Sequence, residues 1–325
     1  MNRNVIICRS ILENPAITQR ELAQALDVSL GTANNLVKEC ISEHLIALGG
    51  AYELLPAGLE LLKQYKVDGA LIIAAGFGSR FVPLTFEIPK GLLEVFGERM
   101  IERQIRQLHE VGVQNITIVV GYLKEKFEYL IDKYDVKLLY NPEYSSKNTL
   151  TTIYRAREVL RGRNMYVLSS DNWMRHNMYH AYEGGAWYSS VFMEGETSEW
   201  CLDYNKKGRI GSVSVGGIDQ WVMYGPAYFS KEFSEKFLPV LEAYYELPGT
   251  EQFYWENVYM DMLSGEAAKR LPNLEEAHGD IDMYINRRPE DEVYEFENLE
   301  ELRRFDIKYQ RHSDNEAMEL VARVF

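Results

Sequence analysis

The chain has 325 residues, of which 46% are hydrophobic, so it is long enough for two domains with a sizeable core. Its net charge of −14 argues against a general binder of nucleic acid or of anionic membranes. The three cysteines lie far apart, and no apolar run approaches the length of a membrane span. Because the N-terminus also lacks a signal-peptide core, we expect a reduced, cytoplasmic protein without membrane contact.

Residues 1–66 are predicted to form a small separate domain with the order helix, helix-turn-helix, hairpin, helix. Thr18 and Glu21 are spaced as a capping box for the second helix, and Ser29 is placed to cap the third. The pair Gly49-Gly50 provides a tight turn for the hairpin. This order resembles winged-helix DNA-binding domains.

The winged-helix resemblance implies DNA contact by the third helix, whose only cation is Lys38. Six basic and seven acidic residues leave residues 1–66 with a net charge of −1. Since phosphate neutralisation supplies most non-specific DNA affinity, the charge favours weak binding by a single copy. The sequence therefore leaves DNA binding and a dimerisation or regulatory role as alternatives for this domain. It also leaves open whether the chain forms a homodimer.

Strands alternate with helices from residue 67 onward, which predicts an α/β fold with a Rossmann-like, mostly parallel sheet covered on both faces. In 186–230 the short β-like runs predict an antiparallel extension over the active-site edge. The predicted strands are 70–75, Asn115–Val120, Lys137–Tyr140, Asn164–Asp171 and Val293–Phe296, and the predicted helices are 99–111, Leu123–Tyr134, Thr149–Leu160, 231–246, 253–264 and one from Leu299.

A glycine-rich loop, Ala75-Gly76-Phe77-Gly78-Ser79-Arg80, follows the first predicted strand of this sheet. Glycines permit tight turns and close ligand approach, and successive free N–H groups form a concave anion site. Arg80 and, ten residues later, Lys90 add charge that matches phosphate. Ligands of parallel sheets bind outside the carboxyl ends of the strands, where Gly121 and Asp171 also fall. The pattern predicts recognition of a nucleoside triphosphate.

The glycine-rich string with its Pro89-Lys90 resembles the signature of the nucleotidyltransferases of the sugar-nucleotide pyrophosphorylase superfamily, from which it departs mainly at Phe77. The resemblance implies that Arg80 contacts the triphosphate and that Lys90 contacts the phosphate of the acceptor. The nucleotide-binding residues that it implies are Ala74, Ala75, Gly76, Gly78, Ser79, Arg80, Gly121, Tyr122 and Asn148.

The same resemblance implies a Mg²⁺ cofactor with Asp171 as the first metal ligand. A second carboxylate is expected late in the domain, for which Glu297 is the first choice and Asp282 the rival. No protein nucleophile is needed, because the acceptor's own phosphate attacks the α-phosphorus. The catalytic residues Arg80, Lys90 and Asp171 then act by positioning and charge neutralisation.

All five tryptophans lie between Trp173 and Trp255, so this third of the chain is expected to cover the acceptor side of the site. An acid adjoins aromatic residues at Glu199-Trp200 and at Tyr254-Trp255-Glu256. A quaternary ammonium group favours several electron-rich ring faces, so the pattern suits a trimethylammonium group. Core packing of these large side chains is the alternative.

Further strings that carry the resemblance are Ala75–Pro83, Val120–Glu125, Asn141–Arg155, Ser170–Asn172, Thr197–Trp200, Tyr254–Asn257 and Tyr294-Glu295. They extend the resemblance, over about 68–310, to the bacterial CTP:phosphocholine cytidylyltransferases of the lic type. Departures are Gly91, where members usually carry Ala, and Ser170 before the metal-binding Asp. The resemblance implies that CTP and phosphocholine give CDP-choline and pyrophosphate, within a transferase domain of residues 67–310. The substrate-binding residues that it implies are Lys90, Trp200, Tyr254, Trp255 and Glu256.

Two other functions remain as alternatives. A sugar-1-phosphate nucleotidyltransferase is disfavoured by the clustered tryptophans. A transcription regulator that uses the transferase fold to sense a nucleotide is disfavoured because Arg80, Lys90 and Asp171 are present together. The sequence does not decide whether CTP or UTP is the preferred nucleotide. The tail 311–325 is expected to begin a further domain such as a choline kinase.

Overall fold

The computed structural model describes residues 1–310 of the chain. The tail 311–325, expected to begin a further domain, lies outside the described residues. Within the described residues, no helix is both long enough and apolar enough to cross a membrane.

The N-terminal segment forms the predicted winged helix. The Thr18 side chain accepts a hydrogen bond from the Glu21 N–H at 3.2 Å, and the Glu21 carboxylate accepts one from the Thr18 N–H at 2.7 Å, which confirms the capping box. Ser29 caps the third helix by accepting from the Thr32 N–H at 3.2 Å. The helices are Arg3–Glu13, Gln19–Ala25, Leu30–Ser42 and Pro56–Gln64, and the hairpin strands are Ile46–Leu48 and Tyr52–Leu54.

A buried ion pair joins the winged helix to the rest of the chain. The Arg9 guanidinium donates to Glu183 Oε2 at 2.9 Å, and the two side chains are only 8% and 6% exposed. The Tyr166 hydroxyl donates to the other Glu183 oxygen at 2.8 Å. Because both carboxylate oxygens are bonded, this acid fixes the first helix on the sheet domain.

Replacing Arg9 by alanine should lower the free energy of unfolding by about 3–5 kcal/mol, because it leaves the Glu183 carboxylate buried without its cation. Urea denaturation followed by circular dichroism measures the loss. Lys63→Ala is the matched control, since its pair with Glu60 is largely exposed. Equal stability of the two variants would show that the Arg9 pair does not hold the winged helix.

A seven-stranded mixed sheet forms the centre of the second part of the chain. Its three central parallel strands are apolar and almost wholly buried, as expected where helices cover both faces. Ile210–Phe229 pairs antiparallel with both of its neighbours. The spatial order of the strands is Tyr284–Arg287, Trp187–Tyr204, Ile210–Phe229, Met165–Ser169, Gly69–Ala74, Ile116–Val120 and Lys137–Tyr140.

Side chains of the parallel strands alternate between the two faces of the sheet, because a strand has a period of two residues. Leu71 and Val119 belong to the core on one face, and Ile72 and Ile118 belong to the core on the other. The predicted α/β architecture is therefore confirmed. The α-helices of this part are Met100–Glu110, Tyr129–Tyr134, Thr149–Arg155, Arg157–Leu160, Lys231–Glu246, Trp255–Ser264, Glu266–Arg270 and Leu299–Phe305.

Some elements differ from the sequence prediction. The predicted helix Leu123–Tyr134 is a 3₁₀ turn, Lys124–Phe127, followed by a short α-helix, and the predicted helix Thr149–Leu160 is interrupted at Ala156. The short strands predicted in 186–230 are two long strands of 18 and 20 residues. Their middle part is largely exposed and contains β-bulges, so it lacks the regular alternation that marks a long strand.

Candidate active site

The glycine-rich loop begins after Ala74, the last residue of the central strand. Gly78 has a φ of +67°, and a Cβ there would lie 3.1 Å from Thr85 and 3.2 Å from the Cβ of Lys90. The Thr85 hydroxyl donates to the Gly78 carbonyl at 3.0 Å. At Gly76, in contrast, a Cβ would meet nothing within 4 Å. The loop thus folds closely against the segment that carries Lys90.

Gly121 lies at the end of the neighbouring strand, in contact with the glycine-rich loop. A Cβ at Gly121 would lie 2.6 Å from the Tyr144 ring and 2.7 Å from the Ala75 carbonyl oxygen, so a larger residue would separate them. The Tyr122 N–H donates to that carbonyl at 3.1 Å. Phe77, the departure from the resembled signature, meets the Tyr122 ring edge to face at 4.5 Å. Three predicted nucleotide-binding residues are thereby brought together.

A cavity of about 380 Å³ opens beside the loop. Asn148, on its wall, accepts a hydrogen bond from the Thr149 N–H at 2.8 Å and caps the helix that begins there. The cavity therefore joins the predicted nucleotide and acceptor residues. The predicted residues that line it are Gly78, Ser79, Arg80, Lys90, Asn148 and Tyr254.

Lys90 and Asp171 form an ion pair at the carboxyl edge of the sheet. The side chains are only 14% and 18% exposed, so the two charges interact with little screening by water. The Lys90 ammonium also lies 4.6 Å from the centre of the Phe81 ring. Two of the three predicted catalytic residues are thus adjacent.

The two departures from the resembled family pattern beside this pair, Gly91 and Ser170, lie in contact with each other. A Cβ at Gly91 would lie 2.6 Å from both the Cβ and the Oγ of Ser170. Gly91 therefore makes room for the Ser170 side chain, and each of these residues adjoins a member of the Lys90–Asp171 pair.

Gly91→Ala should lower kcat/KM by about ten- to a hundredfold, because the clash with Ser170 displaces Lys90 from Asp171. Ser170→Gly removes the two nearest atoms and leaves only the carbonyl oxygen of that residue at 3.1 Å, so the double variant should recover most of the activity. Steady-state kinetics of the two single variants and the double variant, with matched thermal melts, test this coupling. If the two single-variant losses in transition-state stabilisation, calculated from kcat/KM, simply add in the double variant, the two positions are independent.

Glu295 is brought close to Asp171 by a strand pairing that the sequence did not reveal. Val293–Glu295 pairs antiparallel with Asn172–Met174, so that Glu295 lies opposite Asn172. The Gly225 N–H donates to the Glu295 carboxylate at 3.2 Å. Burial, and next the negative charge of Asp171, raise the pKa of Glu295 to about 7. Two interacting carboxylates therefore lie at the edge of the sheet.

The carboxylates offered by the sequence as second metal ligand have other partners. Glu297 forms an ion pair with Arg80, and these side chains are 40% and 63% exposed. Asp282 forms its ion pair with an arginine in the turn of the long hairpin. Glu295 is the acid that interacts with Asp171, so it is the second carboxylate that we propose in place of the sequence-based choice. Glu295 lies within the predicted strand Val293–Phe296, whereas Glu297 lies beyond its end, and this position could have signalled Glu295.

The aromatic residues predicted at the acceptor side divide into accessible and buried ones. Trp200 and Tyr254 meet edge to face with ring centroids 5.5 Å apart, and Tyr254 is 45% exposed. Trp255 is only 3% exposed and belongs to the core on one face of the sheet. Trp173 and Trp187 are also buried, in other clusters. This corrects the expectation for Trp255, whose ring serves core packing.

Glu256 is a buried acid next to this aromatic pair in sequence. The Tyr188 hydroxyl donates to its Oε1 at 3.0 Å, whereas its Oε2 has no hydrogen-bond partner among the described residues. Burial is the main reason why the pKa of Glu256 is raised to about 8. One oxygen of this buried carboxyl group is therefore left without a hydrogen-bond partner within residues 1–310.

Known proteins match both parts of the chain. A nucleotidyl transferase family matches residues 69–190, and a winged helix-turn-helix DNA-binding family matches residues 7–47. The choline-phosphate cytidylyltransferase of Streptococcus pneumoniae is 31% identical over 237 residues, which cover 73% of this chain and 96% of that protein. The 2-aminoethylphosphonate cytidylyltransferase of Lancefieldella rimae is 31% identical over 242 residues, 74% of this chain and 92% of that protein.

Among solved structures, the CTP:phosphocholine cytidylyltransferase of S. pneumoniae superposes with a TM-score of 0.65 at 30% identity, over 75% of this chain and 99% of that one. The fold and the strand-end site therefore define this chain as a nucleotidyltransferase, preceded by a winged helix. It belongs to the cytidylyltransferase family that includes the choline-phosphate cytidylyltransferase of S. pneumoniae. Nucleotidyltransferases of this kind generally use a divalent metal ion.

Proposed function

We propose that this chain transfers the cytidylyl group of CTP to phosphocholine, giving CDP-choline and pyrophosphate. The observation that carries the proposal is one cavity that joins the glycine-rich loop to Lys90, in a chain of this family. The Lys90–Asp171 pair supports the proposal, because an ammonium group suited to phosphate lies beside a carboxylate suited to a metal ion.

In the proposed reaction, a phosphate oxygen of the acceptor attacks the α-phosphorus of the nucleotide. The bond between the α-phosphorus and the bridging oxygen to the β-phosphate breaks, and pyrophosphate leaves with that oxygen and its electron pair. Lys90 binds the attacking phosphate and holds it in line with the bond that breaks. Its ammonium group is mostly shielded from water, which strengthens its attraction for the phosphate. Arg80 leaves its exposed partner Glu297 to bind the triphosphate.

Mg²⁺ is the proposed cofactor, with Asp171 and Glu295 as the protein's ligands. No group of three or more His, Cys, Asp or Glu side chains within residues 1–310 could hold a metal ion alone. This fits Mg²⁺, which is commonly bound by one or two carboxylates together with substrate phosphates. Part of the rise in the pKa of Glu295 comes from the negative charge of Asp171, and a bound cation would reduce this repulsion. When bound, Mg²⁺ would supply charge neutralisation for the phosphates.

Trp200, Tyr254 and Glu256 are proposed to hold the trimethylammonium group. This group has no N–H to donate, so electron-rich rings and a nearby carboxylate suit it. The Trp200–Tyr254 ring pair is accessible, and a bound cation would favour the ionised form of Glu256, whose pKa is raised to about 8 by burial. The relative that acts on 2-aminoethylphosphonate makes a primary amine the competing acceptor.

A pyrophosphate-release assay with four nucleoside triphosphates and a panel of acceptors tests the proposal. The panel contains phosphocholine, phosphoethanolamine, 2-aminoethylphosphonate and glucose 1-phosphate. We expect the highest kcat/KM for CTP with phosphocholine. Preference for glucose 1-phosphate would favour a sugar nucleotidyltransferase, and nucleotide binding without turnover on any acceptor would favour a sensor.

Trp200→Ala should narrow the preference for phosphocholine over phosphoethanolamine, because a ring face is worth on the order of 1–2 kcal/mol to a desolvated quaternary ammonium. The ratio of kcat/KM for the two acceptors, in wild type and variant, measures the effect. Trp221→Ala is the control, since Trp221 contacts Phe192 and Arg287 elsewhere on the hairpin. An unchanged ratio in Trp200→Ala would remove this residue from the acceptor site.

A further inference from the structure

A second cavity, of about 520 Å³, lies between the winged helix and the transferase. Its walls come from helices Arg3–Glu13 and Gln19–Ala25 on one side, and from 284–289 and the hairpin turn at 206–208 on the other. Neither the glycine-rich loop nor the Lys90–Asp171 pair lines it. It is therefore a separate site from the one described above.

Basic side chains gather around this cavity. Arg9 and Arg287 already pair with carboxylates, and the Arg288 side chain has Glu292 at 3.8 Å. For the side chains of Arg3, Lys206 and Lys207, no carboxylate of residues 1–310 lies within 4 Å. The six basic residues are Arg3, Arg9, Lys206, Lys207, Arg287 and Arg288.

Each of the five acids on the same walls has a partner of its own, and those of Asp27 and Glu292 are the cavity's Arg287 and Arg288. Glu13 lies 3.0 Å from the His180 ring nitrogen, and Glu21 forms the capping box with Thr18. Glu183 is held by Arg9 and by a tyrosine hydroxyl. The positive groups of the cavity are thus more available to a ligand than the negative ones.

Buried nitrogens on these walls lack acceptors. The Nε atoms of Arg9, Arg287 and Arg288 and the Nε1 of Trp187 have no hydrogen-bond partner within the described residues. All four are donors only, and a buried donor without an acceptor is costly. Desolvation lowers the pKa of Arg288, yet 21% of its side chain stays accessible, as expected for a group at a deep cavity. The walls therefore hold four buried donors without an acceptor.

We propose that this cavity binds a phosphate-bearing small molecule of about nucleotide size. Its volume lies within the range of roughly 300–1,000 Å³ that is usual for small-molecule sites. The forked donors of arginine match phosphate oxygens, and Ile6, Ile17 and Tyr284 provide apolar wall for the remainder of the ligand. Because such a ligand touches both parts of the chain, it stabilises their contact. The proposal does not rest on the identity of the acceptor.

Isothermal titration of the whole chain at constant ionic strength tests the site with inorganic phosphate, glycerol 3-phosphate, CMP and AMP, and with citrate as a carboxylate control. We expect at least one phosphate probe to bind with a stoichiometry of one. Arg288→Gln and the exposed Lys207→Gln should each weaken it by about tenfold or more. The active-site variants Arg80→Ala and Lys90→Ala, and the exposed control Arg163→Gln, should leave it unchanged.

Hydrogen exchange gives a second readout, because the bound probe should protect the helix Arg3–Glu13 and the segment 284–289. Absence of saturable binding by every phosphate probe would overturn the proposal. So would binding that Lys90→Ala or Arg80→Ala removes and Lys207→Gln does not, since that places the probe in the active site. Equal binding of citrate would overturn the preference for phosphate.

Discussion

Replacing Asp171 by alanine is expected to lower kcat by on the order of a thousandfold or more while the fold is kept. The variant removes the carboxylate proposed to hold Mg²⁺ with Glu295, and a metal's charge stabilisation is worth several kcal/mol in the transition state. It also leaves the Lys90 ammonium, only 14% exposed, without its partner. Pyrophosphate release over a range of Mg²⁺ concentrations measures the effect, and near-ultraviolet circular dichroism checks the fold.

Asp282→Ala is the matched control for this variant, because Asp282 was the rival metal ligand in the sequence and lies with Arg209 instead. It should keep near-normal turnover, whereas Glu295→Ala should behave like Asp171→Ala. If Asp171→Ala turns over normally at low Mg²⁺, Asp171 is not a metal ligand. If Glu297→Ala is damaging and Glu295→Ala is not, the choice of second carboxylate is wrong.

Replacing Lys90 by alanine is expected to raise the KM for phosphocholine and to lower kcat. The lost charge-assisted hydrogen bond to the attacking phosphate is worth roughly 1.5–3 kcal/mol, or about ten- to a hundredfold and slightly more in kcat/KM. The KM for CTP should change much less, because Arg80 and the glycine-rich loop are proposed to bind the triphosphate. Initial rates with each substrate varied in turn separate these effects.

Lys137→Ala is the control for Lys90→Ala. Lys137 begins the edge strand Lys137–Tyr140 and is exposed, so it lies at the amino ends of the parallel strands. Its loss should leave both KM values unchanged. Unchanged acceptor kinetics in Lys90→Ala would exclude contact between this residue and the acceptor's phosphate.

The residues predicted for the nucleotide side could be placed at one edge of the sheet from the sequence, because local signals determine that placement. Ala75, Gly78 and Gly121 follow buried strands, and the ends of parallel strands must meet at one edge. Lys90 and Asp171 are likewise placed by the loop and the strand that precede them. Backbone geometry that depends on a few neighbouring residues can be inferred from the sequence.

The acceptor side and the second carboxylate depend on contacts between distant segments, and there the sequence was less informative. Glu295 reaches Asp171 because a three-residue strand pairs with Asn172–Met174, over a separation of more than a hundred residues. The composition of 173–255 could not show that Trp255 packs in the core while Trp200 stays accessible. Such differences follow from tertiary packing, which local patterns do not contain.

Phosphorus-31 NMR with phosphocholine carrying ¹⁸O in its phosphate tests the central claim most directly. Attack by the acceptor's phosphate on the α-phosphorus predicts that CDP-choline forms together with pyrophosphate. All of the label should stay in CDP-choline, one labelled oxygen bridging the two phosphorus atoms, and pyrophosphate should carry none. Labelled pyrophosphate, or consumption of CTP without CDP-choline, would contradict the assignment of this chain as a phosphocholine cytidylyltransferase.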